Sequence, residues 1–142
     1  MKFTLIVNPD KEEEVIMTVR KHTPLCDQIR QLTQAQGQLT GYKDDEVCLL
    51  SFAQIQCITV LDGKTFAITE TGRFLIKGRL WETENCLPDY FIRINKSAIA
   101  NTQHLLRFRA TIGGGVNAVF RCGYEDYVSR RCFTQIKRRF QL

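Results

Sequence analysis

The chain has 142 residues, 44% of them apolar and 25% charged, with three prolines and nine glycines. This is about one domain of sequence with enough apolar material for a core, and it excludes collagen-like, low-complexity and largely disordered chains. No run reaches the roughly 20 apolar residues of a membrane helix, and the apolar stretch after Met1 is shorter than the roughly 7–15 residues of a signal-peptide core, so a cytoplasmic location is expected.

The formal net charge is +5, and it is uneven. Residues 1–70 carry seven Lys/Arg against ten Asp/Glu, whereas residues 71–142 carry thirteen against five. A basic C-terminal half points to a polyanionic partner, nucleic acid first, with a solvated basic surface as the plain alternative. The six cysteines are Cys26, Cys48, Cys57, Cys86, Cys122 and Cys132. They form no Cys-x-x-Cys hook, and His22 and His104 lie far apart, so no metal site and no cofactor is expected. Cys57 and Cys122 follow Ile55 and Phe120 at strand spacing and read as reduced thiols packed as small apolar groups.

In chain order, residues 2–7 alternate Phe3, Leu5 and Val7 on one face, which predicts a strand. Asn8-Pro9-Asp10 is a turn signal, and Val15, Met17 and Val19 alternate again. Thr23 and Pro24 stand as N-cap and first residue of a helix. Leu25, Ile29 and Leu32 share one of its faces, and Gly37 is its expected stop. Residues 1–37 therefore read as β-β-α, too small to be stable alone. From residue 38 on, short strands dominate. Ile55 to Leu61 and Lys64 to Thr69 flank Asp62-Gly63, a strong hairpin signal. Thr71-Gly72 turns the chain into Phe74–Ile76. A short helix is predicted from Gly78 to Leu87, then an extended stretch from Tyr90 to Ile94. Leu105–Ile112 and Val116–Cys122 flank Gly113-Gly114-Gly115, and Tyr127-Val128 is a last short strand. Ser129 caps a final helix that buries Phe133, Ile136 and Phe140 and exposes Arg130, Arg131, Lys137, Arg138 and Arg139. The expected architecture is mainly β, α+β overall, with an antiparallel domain over 38–142 preceded by the segment 1–37.

No catalytic constellation is visible. Gly113-Gly114-Gly115 lacks the Lys-Ser/Thr of a phosphate loop, and Asp44-Asp45-Glu46 reads as a solvated turn rather than a carboxylate pair in two distinct environments. No nucleophile, base and oxyanion site come together, so no enzyme activity and no small-molecule substrate is expected. The most informative stretch is Tyr90 to Asn101. There apolar residues alternate with Arg93, Asn95 and Lys96 before a polar turn with Ser97. A guanidinium, an amide, an ammonium and a hydroxyl held together suit phosphates and base edges. On residue chemistry alone, a strand end with solvated polar groups fits equally well.

The segment Phe91-Ile92-Arg93-Ile94-Asn95-Lys96-Ser97-Ala98-Ile99-Ala100-Asn101 resembles the F-x-R-x-x-x-S-x-x-x-N signature of the LytTR-type DNA-binding domain. Tyr127-Val128-Ser129-Arg130-Arg131 resembles the closing segment of the same family. The resemblance spans about residues 38–140. It implies an elongated antiparallel β fold that reads double-stranded DNA from loops. The contact residues it implies are Lys64 and Thr65 in one hairpin, Arg93, Asn95, Lys96 and Ser97 around a turn, and Arg130, Arg131 and Lys137 on the last helix. The usual aromatic and acidic residues around the first long strand are replaced here by Cys57 and Thr59. Many family members carry a phosphorylatable receiver domain. Residues 1–37 are too few for one, so the chain resembles a stand-alone, response-regulator-like member. Such members imply autoregulation or a membrane-protein partner. A transcriptional regulator, dimeric through residues 1–37, is the leading expectation. A protein-interaction module docking an acidic partner on its basic face is the alternative.

Overall fold

The computed structural model describes residues 1–12, 14–34 and 37–142. Helix α1 spans Pro24–Gln34, and it begins where Thr23-Pro24 predicts. Its expected stop at Gly37 falls against Ala35 and Gln36, outside the described residues.

Ten strands follow: β1 Gln38–Lys43, β2 Glu46–Ser51, β3 Cys57–Leu61, β4 Lys64–Thr69, β5 Gly72–Ile76, β6 Phe91–Asn95, β7 Ala98–Asn101, β8 Leu105–Ala110, β9 Val116–Phe120 and β10 Glu125–Val128. Helix α2, Leu80–Cys86, lies between β5 and β6, and α3, Arg130–Phe140, closes the chain. Two antiparallel sheets result, one of seven strands in the order β2-β1-β5-β4-β3-β7-β6 and one of three in the order β10-β9-β8.

The turns explain the register. Asp44 and Asp45 both take positive φ, 50° and 64°, as do Asp62 and Gly63 at 51° and 75°. Two successive left-handed residues make the turn whose twist matches paired strands, so β1–β2 and β3–β4 close as tight hairpins. The triple-glycine loop is also a hairpin: Thr111 N–H donates to Gly115 O at 2.8 Å. Gly41 brings β1 onto β5, where a Cβ would stand 2.8 Å from Cβ of Phe74.

The centre of the large sheet, in β3, β4 and β7, is buried on both faces. Ile58, Ala67 and Ile99 join a cluster with Phe52, Phe74, Leu80 and Phe91. Their neighbours along the same strands, Cys57, Ile68, Ala98 and Ala100, join a second cluster with Ala118 and Phe120 of β9, Val128 of β10 and Ile136 of α3. The small sheet and α3 therefore cover one face, and α2 with the 52–54 turn packs on the other.

Two expectations are corrected, and one strand is new. Residues 2–7 and 15–19 join no sheet, and Phe3, Leu5, Ile6 and Val7 are 75–86% exposed. Alternation gives a strand one apolar face, but its N–H and C=O groups still need a neighbour, and the single chain offers none. Of β-β-α, only α1 is formed. Residues 98–101, to which no element is assigned from sequence, form the fully buried strand β7. On α3 only Ile136 is buried: Phe133 is half-buried and Phe140 is 42% exposed.

Candidate nucleic-acid interface

The pairing of β3 with β7 gathers the residues singled out by sequence. Thr59 stands opposite Ala98, and Val60 N–H donates to Ser97 O at 2.9 Å. The tip of the β6–β7 hairpin therefore lies beside β3. The tip of the β3–β4 hairpin lies three residues further along the same end, roughly 10 Å at strand rise. Helix α3 starts at that end as well, because Ser129 N–H donates to Ile94 O at 2.8 Å. Ser129 caps it, its Oγ accepting from Cys132 N–H at 3.2 Å.

The side chains at this end divide into two groups. Lys64, Lys96, Arg130 and Arg131 are exposed, Ser97 is half-exposed, and Lys137 lies exposed on α3 with Nζ 4.8 Å over the Phe133 ring. Among the described residues, neither Arg130 nor Arg131 has an ion-pair partner. The acids that flank Arg130 in sequence are otherwise engaged: Glu125 pairs with Arg109, and Asp126 accepts from Thr59, Asn95 and Tyr124. This leaves the Arg130 guanidinium open to solvent.

The second group is turned inward. Thr65 is 4% exposed, and its Oγ1 donates to Gly78 O at 3.1 Å. Asn95 is 2% exposed. Its Nδ2 donates to Tyr127 O at 2.8 Å, and its Oδ1 accepts from Ser97 N–H at 2.7 Å. Arg93 pairs with Glu84 of α2 and donates to Lys96 O at 2.8 Å. These three residues shape the loops whose tips carry Lys64, Lys96 and Ser97. Asn101, last in the signature, is fully buried, with Nδ2 on the carbonyls of Phe52 and Ile55 at 3.3 and 2.8 Å.

Burial and hydrogen bonding set the protonation of the supporting groups. Desolvation pushes the Tyr124 phenol well up, which keeps it a donor to Asp126 at 3.0 Å. The Asn117 amide and then Arg109 hold Glu125 below the usual carboxylate range. Burial likewise raises the Cys57 thiol, which stays protonated and inert. All six cysteines are free, and no cluster of three or more His, Cys, Asp or Glu stands at metal-binding distance among the described residues. Among the described residues, no helix is long and apolar enough to cross a membrane.

Sequence reasoning missed Glu84, Thr59 and Asp126. Each acts across at least nine residues of chain, and no local spacing marks the partner.

An all-antiparallel two-sheet domain with basic loop tips and a capped basic helix at one end is the architecture of a β-type DNA-binding module. The model of the LytTr DNA-binding domain matches residues 45–141, and the chain belongs to that family. A solved LytTr DNA-binding domain from Bacillus cereus superposes with a TM-score of 0.68 at 22% identity, covering 75% of this chain and 99% of its own. It has the same fold. An uncharacterized HTH-type transcriptional regulator of Staphylococcus aureus strain NCTC 8325 is 29% identical over all of this chain and 99% of its own length. Its counterpart in strain MSSA476 is 30% identical over the same shares. The similarity therefore includes residues 1–44, which the family model leaves out.

Proposed function

We propose that this chain is a cytoplasmic transcriptional regulator that binds double-stranded DNA sequence-specifically and reads it from loops. The observation that carries the reading is the gathering of Lys64, Lys96, Ser97 and Arg130 at one end of the large sheet. Arg130, short-tethered at a capped helix start, has the geometry for a bidentate contact to guanine. Lys64, Lys96, Arg131 and Lys137 supply phosphate contacts and a salt-dependent share of affinity. Arg93, Asn95 and Thr65 act by holding the loops. Selection of bound duplexes from random DNA tests the reading. Enrichment of one motif at moderate salt is expected, and no enrichment over background overturns it.

The regulator is further proposed to act as a homodimer on two half-sites. Residues 1–37 expose Phe3, Leu5, Ile6, Val7, Val15 and Ile16, which the single chain leaves uncovered. They carry five Lys/Arg and five Asp/Glu, so they neither repel a second copy nor seek DNA. Sizing of the full chain against residues 38–142 should show a dimer and a monomer respectively. Two monomers, on and off DNA, sink the proposal. A membrane-protein partner as the source of the signal is tested by copurification from membranes.

A further inference from the structure

One carboxylate at the site is in the wrong place for charge alone. Asp126, on β10, is half-buried and accepts hydrogen bonds from Thr59 and Asn95, beside the loops proposed to meet DNA. Among the described residues it has no cationic partner. Four neutral donors converge on it instead. Asn95 Nδ2 and Tyr127 N–H reach Oδ1 at 3.3 and 2.8 Å, and Thr59 Oγ1 and the Tyr124 hydroxyl reach Oδ2 at 3.3 and 3.0 Å. These donors come from β3, the end of β6, and β10 with the segment leading into it. They are the elements that carry, or lead directly into, the exposed contact groups.

We propose that Asp126 is the positioning residue that fixes the β6–β7 turn against the start of α3, and so sets the spacing at which Lys96 and Arg130 meet a duplex. The link is short on both sides. Asn95 bonds Asp126 through its amide and the Ser97 backbone through its carbonyl, so the turn cannot shift without breaking that bridge. Tyr127 and Val128 then lead directly to Ser129 and the α3 cap. A buried polar network with every member satisfied holds one geometry, whereas a partly satisfied one does not. The cost is a negative charge near phosphates, which opposes binding at every sequence.

The proposal rests on the DNA reading above, and its test separates the two. Asp126→Ala removes the hub. Asp126→Asn keeps an acceptor for Asn95 and the Tyr127 amide, and the Thr59 and Tyr124 hydroxyls can reverse to accept from its NH2 group. In the full chain, Asp126→Ala is expected to cut the preference for the selected duplex over a scrambled one about tenfold. Binding to the scrambled duplex should hold or tighten, since a repulsive charge has gone. Asp126→Asn should retain the preference. If alanine and asparagine behave alike, the effect is one of charge and the proposal falls. Equal weakening of both duplexes by alanine overturns it too. Should Asp126→Ala not fold, Thr59→Val with Tyr124→Phe takes its place, with a smaller loss of preference expected and an unchanged preference overturning the idea. Amide exchange at Ser97 and Cys132 is read without DNA. Acceleration confined to those sites in Asp126→Ala supports the hub even if no duplex is preferred, an outcome that would sink the DNA reading alone, and unchanged exchange there overturns the hub.

Discussion

Residues 2–7 and residues 64–69 look alike on paper. Both are six-residue runs that open on a lysine and carry three or more apolar side chains beside threonine. In the folded chain Phe3 is 86% exposed, whereas Ala67 is fully buried and paired on both sides. The difference is the company each keeps. Residues 64–69 follow an Asp-Gly turn that returns them onto β3, and β5 then covers their other edge. Residues 2–7 have no such return. Alternation states which face of a strand is apolar, and only a turn or a second molecule supplies the neighbour.

The largest expected effect tests this contrast in stability. Phe120→Ala, at a fully buried site between the sheets, should cost about 3–5 kcal/mol in urea unfolding at low protein concentration. Phe3→Ala should change monomer stability by no more than about 0.5 kcal/mol. A comparable loss from both would mean that residues 1–37 pack on the sheet domain. Next comes DNA. Arg130→Ala should lose about 1–3 kcal/mol on the selected duplex and relax preference at one base pair. Arg20→Ala, equally exposed but in the N-terminal segment, should change neither; equal weakening of cognate and scrambled duplexes by Arg130→Ala would instead point to Lys96 as the base reader.

Smaller effects follow. Replacing Arg138 and Arg139 by alanine should weaken all duplexes alike and flatten the salt slope by about one to two phosphate contacts. Arg139 already donates to Asp89 O at 2.8 Å, so Arg138 should carry more of that change. The same double change at Lys2 and Lys11 should leave the slope unaltered. The smallest effect is on acid stability. Glu125 is held below its ordinary pKa by Asn117 first and Arg109 second. Its contribution is therefore present above the unfolded value and is lost as pH falls through the lowered one. Glu125→Gln should flatten that acid limb of the stability curve, as thermal melts across acid pH would show.

The β3–β4 and β8–β9 hairpins were legible because their turn residues favour unusual backbone, whereas the β1–β2 hairpin at Asp44-Asp45 read only as a solvated turn. Asp62-Gly63 and the triple glycine declare themselves wherever they occur. Strand β7 was not legible, because a strand buried on both faces loses the period of two, and Ala98 and Ala100 carry no β signal of their own. Strand β1 hides for a different reason: Gln38, Thr40 and Gly41 read as loop composition until β2 pairs with them. The exposed half of the site, Lys96, Ser97 and Arg130, could be named from residue chemistry and a signature. The inward residues were named with them, but as contacts, and the bonds that turn them inward were not legible. Asn95 is an amide in a polar turn until Tyr127, 32 residues away, accepts its proton, and Thr65 is an exposed hairpin hydroxyl until the Gly78 carbonyl meets it.

The strand order also carries a history. Each neighbour in the small sheet is also a neighbour in sequence, and so are most in the large one; the exceptions are β1 on β5 and β3 on β7. Hairpins close in about microseconds, while joining β3 to β7 must first close the chain between Thr59 and Ala98. That closure should set the refolding rate. A conservative trim at the seam, Ile99→Val, should slow refolding more than Val119→Ala in the small sheet, as stopped-flow measurement would show. Because the β6–β7 turn reaches its place beside β3 only when the seam closes, a half-folded chain would hold its hairpins and still lack the assembled basic end.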